Sequence, residues 1–328
     1  MRVAVVGAGA IGAYVGAARA RGGTDVSLVA RGAHLEAMRR DGVHVLSERG
    51  DFEAHPFATG DPSEIGEVDV VFLGLKAHDY AGAGELLEPL LGPDTGVVAA
   101  QNGIPWWYFH GLGGPYDGRR VESVDPGGAV SAVIAPERAI GCVVYCSTEI
   151  ESPGVIRHYE GTRFSIGEPD GSSSERCARF SEAMIAGGLK CPVEPELRDD
   201  IWIKLMGNVA FNPLSALTRA TMGAMCRHAP TRELAGRIMA ETLEIAARLG
   251  SEPEISIERR LDGAERVGEH RTSMLQDLEA GKRLEVDALV TAVVELADLT
   301  EVAAPSLRAV AAATELLAAS SDGVVAGR

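Results

Sequence analysis

The segment "RVAVVGAGAIG" at residues 2–12 constrains the fold more than any other stretch of the chain. Strand-forming residues run directly into Gly7, Gly9 and Gly12, spaced as GxGxxG, and an Ala-rich helical stretch follows. A strand that turns on glycines into a helix is the opening of a doubly wound α/β domain. The first glycine permits the tight turn, the second lets a pyrophosphate approach the backbone, and the third lets helix and strand pack closely. Gly7, Ala8, Gly9, Ala10, Ile11 and Gly12 are therefore the expected dinucleotide cradle, with helix amides facing phosphate charge.

The next two hundred residues continue the pattern. "DVSLVA" (25–30), "VDVVFLGL" (68–75) and "GVVAA" (96–100) are continuous apolar runs of strand length, with helix-compatible stretches such as 10–22 and 78–91 between them. Strands buried on both faces and separated by helices imply a parallel sheet. Strand-like runs at 129–135, 139–148, 154–158 and 163–167 predict hairpins or mixed sheet extending the same domain. The serines of "GEPDGSSSE" (167–175) read as caps for a helix over 174–187. Beyond about residue 195 the strand signals fade, and 197–225, 229–250, 255–268 and 285–300 have helical spacing. The expected organisation is a Rossmann-type domain over 1–193 followed by an all-α domain over 194–328, joined near 188–196.

Charge and composition narrow the partners. A net charge of −16 over 328 residues opposes nucleic-acid binding, which needs clustered Lys and Arg. No apolar run approaches a membrane span, and the N-terminus enters a strand without the pattern of a signal peptide. Five cysteines without a CxxC pair point to reduced thiols in a cytoplasm. The eight histidines show no HExxH or similar spacing, so no metal site is expected.

Polar residues at a few positions suggest chemistry. An NAD site usually presents an acid about twenty residues beyond the glycines, to hold the ribose 2′-hydroxyl. Here "SLVARG" offers Arg31, and Asp25 lies at the wrong end of that strand. A guanidinium at this place pairs with a 2′-phosphate, which favours NADP(H); the alternative is a solvated surface arginine. Lys76 and Gln101-Asn102 follow buried strands, at the edge where open sheets bind ligands. Each has a plain alternative, an exposed lysine and an Asn-Gly turn.

"IWIKLMGNVAFNP" (201–213) is otherwise apolar, yet Lys204, Asn208 and Asn212 recur in it at intervals of four. Such positions drift by only about 40° per step around a helix and so share one face. Asn212 precedes Pro213, which predicts a helix end or kink there. Burying these groups without partners would cost on the order of a few kcal/mol each. Either a structural network or a functional site must satisfy them, and the dinucleotide turn in the same chain favours the site.

Taken together, "VGAGAIG" with Arg31, "LKAHD", "QNG", "IWIKLMGNVAFNPLSALT", "SMLQDLEAGKRLEVD" and "VAAPSL" resemble the ketopantoate reductase family in order and over nearly the whole chain. The resemblance implies NADPH-dependent reduction of 2-dehydropantoate, as in pantothenate synthesis. It implies Lys204 as proton donor, with Glu285 as an acidic catalytic group beside substrate and nicotinamide ribose. Asn102, Asn208, Asn212 and Ser273 become substrate contacts. Arg31, Lys76, Asn102 and Glu285 join the glycine turn as cofactor contacts. A homodimer is possible.

"PWWYFHG" (105–111) departs from the family's usual loop. Its aromatic residues fit a reshaped pocket, a dimer contact or ordinary packing. A reductase of another 2-oxo acid is thus the alternative within the fold. A non-catalytic NADP(H) sensor is the alternative of a different functional class, although a sensor needs neither Lys204 nor Glu285.

Overall fold

In the computed structural model of the protein, residues 1–321 are described. Strand β1 (Arg2–Val6) is buried from Val3 to Val6 and leads into α1 (Ala10–Arg21). There follow β2 (Asp25–Val29), α2 (Gly32–Asp41), β3 (Val43–Ser47), β4 (Phe52–Ala54), β5 (Phe57–Thr59), β6 (Val68–Leu73), α3 (Gly84–Leu87) and β7 (Leu91–Ala100). Next come α4 (Ala129–Val133), β8 (Ala139–Ser152), β9 (Val155–Gly167) and α5 (Glu175–Ala186). The strands form one sheet in the order β4-β3-β9-β8-β7-β6-β1-β2-β5. The β3–β4 and β8–β9 pairs are antiparallel and the others parallel. This is the expected doubly wound sheet with its mixed extension.

The sheet curls so that α1 touches β2 on one side and β3, β4, β8 and β9 on the other, with α5 beside it. Every residue from Gly12 to Arg19 is consequently buried. Small residues on all faces of α1 make that possible, since a helix apolar all round belongs inside a core. Even Arg19 is fully buried, its guanidinium stacked 4.7 Å over the Phe180 ring. Ser174 caps α5 as expected, accepting from the Cys177 amide. Above it, the buried Glu168 carboxylate takes two bonds from the Arg176 fork, at 2.7 and 2.5 Å, and one from Ser174.

Two departures from the expected elements stand out. Residues 129–133 form α4 where a strand is predicted: Gly127 and Gly128 turn the chain at positive φ, and Val130 and Ile134, four apart, are the residues buried. The helix α6 (Leu197–Thr218) also continues through Pro213 rather than ending there. Its flanks explain this. Trp202, Leu205, Met206, Val209, Ala210, Phe211 and Leu214 are all buried, and their packing outweighs the roughly 3 kcal/mol an interior proline costs.

After α6 come α7 (Met222–Arg227), α8 (Ala229–Arg248), α9 (Ile257–Val267) and α10 (Ser273–Glu279), a π-helical turn at Asp287–Thr291, α11 (Ala292–Leu299) and α12 (Pro305–Ser321). The chain divides into two compact units. The first comprises Met1–Gln101, Trp106–Arg120 and Gly127–Leu197; the second comprises Asn102–Pro105, Val121–Pro126 and the chain from Arg198 onward. The strap at 121–126 is held to α11 by the Glu295 carboxylate, which accepts from the Glu122 and Ser123 amides at 2.7 and 2.8 Å.

Candidate functional site

In the first unit the glycine turn has the geometry a dinucleotide needs. Gly7 has φ +86°, and its amide and that of Ala8 both donate to the Val29 carbonyl, tying the turn to β2. A Cβ on Gly12 would lie 2.3 Å from the Gly7 carbonyl oxygen, so only glycine lets α1 sit this close. A Cβ on Gly9, at the N-cap of α1, would meet no atom within 4 Å and would project over the helix start. Ala10 and Ile11 form the first turn behind it. Amides at a helix N-terminus with no side chain in the way fit a pyrophosphate.

Arg31 and Lys76 flank that turn on neighbouring strands. Arg31 is the exposed N-cap residue of α2, just past the end of β2. Lys76 is half-buried and opens a short 3-10 turn just past β6. Both therefore sit at the carboxyl edge of the parallel strands, where open sheets hold ligands. Sequence reasoning missed Gly74, whose added Cβ would stand 2.4 Å from the Gly7 oxygen. The "LGLK" that follows β6 carried that signal.

In the second unit, Lys204 lies on α6, and its ammonium donates to the Asn102 side-chain oxygen at 2.7 Å. The two residues stand 102 positions apart in sequence. Asn102 is brought there by its own short segment. Gly103 has φ +83°, and a Cβ on it would meet the Ala288 carbonyl at 2.2 Å; the next amide, Ile104, donates to that same carbonyl at 2.9 Å. The Asn-Gly turn is thus clamped on the π-helical turn, a distortion that often marks functional positions in helices.

Glu285, half-buried, stands two residues before that turn. Lys204 and Asn208 are half-buried within a helix whose neighbours are almost all buried, and Asn212 on the same face is 5% exposed. Ser273 is exposed at the first position of α10, after the capping Thr272.

The aromatic loop resolves its three alternatives toward packing. Trp106, Trp107, Tyr108 and Phe109 are 0–3% exposed. Trp106 donates to the Ile134 carbonyl at 3.1 Å and meets Tyr80 edge to face. Among the described residues no group of His, Cys, Asp and Glu could hold a metal ion, and no helix is long and apolar enough to cross a membrane.

Family models described as "Ketopantoate reductase PanE/ApbA" and "Ketopantoate reductase PanE/ApbA C terminal" match residues 3–106 and 196–318. The chain is 49% identical to the 2-dehydropantoate 2-reductase of Mesorhizobium japonicum, over 97% of this chain and 98% of that one. The crystal structure of 2-dehydropantoate 2-reductase from Geobacter metallireducens GS-15 superposes with a TM-score of 0.84 at 29% identity, covering 96% of this chain and 99% of that one. D-mandelate dehydrogenase, solved with NADH and anilino(oxo)acetate, has a TM-score of 0.80 at 18% identity over 98% and 99% of the two chains, a likeness of fold alone.

Proposed function

The chain belongs to the ketopantoate reductase family, and from that premise we propose that it reduces 2-dehydropantoate to pantoate with NADPH, a step of pantothenate synthesis. The observation that carries the reading is the Lys204 ammonium held on the Asn102 oxygen at 2.7 Å. Bound NADPH supplies the hydride, which goes to the carbonyl carbon of the 2-oxo acid. Negative charge then develops on the carbonyl oxygen. Lys204 stabilises that charge and gives the oxygen its proton. Asn102 orients the ammonium, and the clamp at Gly103–Ile104 fixes Asn102 in turn.

Asn208 and Asn212, on the same helix face, bind the substrate's carboxylate and distal hydroxyl without adding charge. Glu285 accepts from the distal hydroxyl or the nicotinamide ribose, and Ser273 contributes a further hydroxyl to the substrate. On the cofactor, the Gly7–Gly12 turn takes the pyrophosphate. Arg31 takes the 2′-phosphate, supported by its place past β2 where an NAD site carries an acid, and Lys76 adds charge at the same sheet edge. The burial of residues 106–109 removes the reason to expect a different 2-oxo acid. The proposed setting is the cytoplasm, where cysteine thiols stay reduced, and the proposed assembly is a homodimer, to be checked by light scattering.

The test is NADPH oxidation against a panel of 2-oxo acids. We expect the highest kcat/KM with 2-dehydropantoate. A higher value with any other 2-oxo acid, or no turnover of any, overturns the assignment.

A further inference from the structure

A cavity of about 230 Å³ lies in the first unit, lined by Tyr14, Arg21, Arg49 and Phe52 with Thr162 and Gly188. Tyr14, Ala18 and Arg21 form one stripe along α1, at successive four- and three-residue steps. The stripe ends at the C-terminus of α1, opposite the glycine turn, about 18 Å away along a 12-residue helix.

Two arginines meet here in a chain with 47 acidic and 31 basic residues. Among the described residues neither Arg21 nor Arg49 forms an ion pair with a carboxylate. Arg21 is nonetheless held in place. Its guanidinium stacks 4.1 Å over the Phe52 ring and donates to the Gly187 carbonyl at 3.3 Å. A Cβ on Gly188 would stand 3.0 Å from it, so the wall beside the guanidinium carries no side chain.

The Arg49 turn is built just as firmly. The Gly161 carbonyl can only accept, so His158 carries its proton on Nε2 and leaves Nδ1 to accept from the Ser47 hydroxyl at 2.8 Å. The Ser47 oxygen accepts from the Arg49 amide, and the Ser47 carbonyl from the Gly50 amide. Tyr14 stacks on the His158 ring at 4.8 Å. Burial, with the nearby Cys146 thiol, pushes its phenol up to about 12 against the pull of Arg49 and Arg21. Tyr14 therefore remains a hydroxyl donor at any physiological pH.

The negative end of the α1 dipole works against an anion at this place. Its last carbonyls are occupied, however, by the amides of Gly22, Gly23 and Thr24. Two full guanidinium charges then dominate a field of partial ones.

We propose that this cavity is a second anion site, separate from the dinucleotide site, for the phosphate group of a small phosphate monoester. Two guanidinium forks and a phenol are among its lining groups, a donor count that suits the three terminal oxygens of a phosphate better than the two of a carboxylate. The volume falls below the roughly 300–1,000 Å³ of sites for drug-sized ligands, so a dinucleotide does not fit.

The test uses the full chain saturated with NADPH, titrated calorimetrically with glycerol 3-phosphate and with inorganic phosphate. Saturable binding of one phosphate ester per chain is expected, weakened at least about tenfold in Arg49→Ala and in Arg21→Ala, and unchanged in Arg31→Ala. Arg49 is exposed and its turn is held through backbone atoms and Ser47, so that variant stays folded even if Arg21→Ala does not. Loss of binding in Arg31→Ala instead, full binding in Arg49→Ala, tighter binding of glycerate than of the phosphate ester, or no saturable binding up to about 10 mM would each overturn the proposal.

Discussion

From Gly12 to Arg19 every residue of α1 is buried, and from Ile201 to Ala216 nearly all of α6 is buried as well. The two helices differ in where chemistry is left over. On α1 it is the first turn, where glycines leave the backbone without side chains over it. On α6 it is the flank, where Lys204 and Asn208 break an apolar surface. On the proposed reading, a dinucleotide is held by what the sequence omits, and a carbonyl is reduced by what the sequence inserts. Damage to the two helices should accordingly fall on different steps of the same reaction.

The largest effect is expected from Lys204→Ala. Losing both the proton and the charge stabilisation should lower kcat by a factor of roughly a hundred to ten thousand. NADPH affinity should stay nearly as it was, because the glycine turn is in the other unit. Calorimetry and stopped-flow turnover on one preparation separate the two; a variant that keeps full activity ends the catalytic role of Lys204.

Gly12→Ala should do the reverse. Its methyl group would collide with the Gly7 carbonyl at 2.3 Å, which only a shift of backbone can relieve, at about 1–3 kcal/mol. NADPH affinity should fall by about that amount, together with Tm, while kcat at saturating NADPH changes little. Unchanged NADPH affinity would break the contrast between the helices.

A smaller and more selective loss should follow Arg31→Ala. The 2′-phosphate loses a charge-assisted partner, so NADPH should bind roughly tenfold more weakly and NADH almost as before. Equal affinities for the two cofactors in the unaltered protein would remove Arg31 from the site.

The smallest effect concerns Glu168, which is structural. Burial raises its carboxyl, but the Arg176 and Ser174 hydrogen bonds outweigh burial and hold it below the ordinary glutamate value. A carboxylate with a depressed folded-state pKa stabilises above its unfolded value, near 4.3, and loses that contribution as pH falls through the folded one. Glu168→Gln should thus lower Tm at pH 7, by about 2–4 °C for each kcal/mol lost, and the gap from the unaltered protein should close below about pH 4. A gap that stays constant with pH would show that packing, rather than charge, is at work there.

Much of this was legible in the sequence because it depends on local physics. Continuous β-branched runs cannot stay in water, so β1, β2, β6 and β7 were readable as strands, and GxGxxG after the first of them gave the turn. The short strands β3 and β4 were not, since His44, Ser47 and Glu53 dilute their apolar pattern, and β5 (Phe57–Thr59) is too short to show one. Local rules misled where packing overrode them. "AVSAV" has strand propensity but is helical because Val130 and Ile134 are the residues that find cover, and Pro213 is carried inside a helix by its buried neighbours. The stripe on α6 was visible as spacing. That its lysine rests on Asn102 was not, because nothing local connects a turn after β7 with a helix a hundred residues later.

Asn102–Pro105 and Val121–Pro126 fold into the second unit while the chain on either side of each belongs to the first, so no single cut parts the two. A gene divided near residue 197 would leave the ammonium on one polypeptide and the amide that holds it on the other. A crossover at that point, replacing the helical half with one from a relative, would set a foreign lysine against this Asn102 and a foreign carbonyl against this Gly103. Catalysis can then pass to such a chimera only when both parents keep asparagine and glycine in the same register. The two halves look modular on a diagram, yet they can be exchanged by recombination only between close kin.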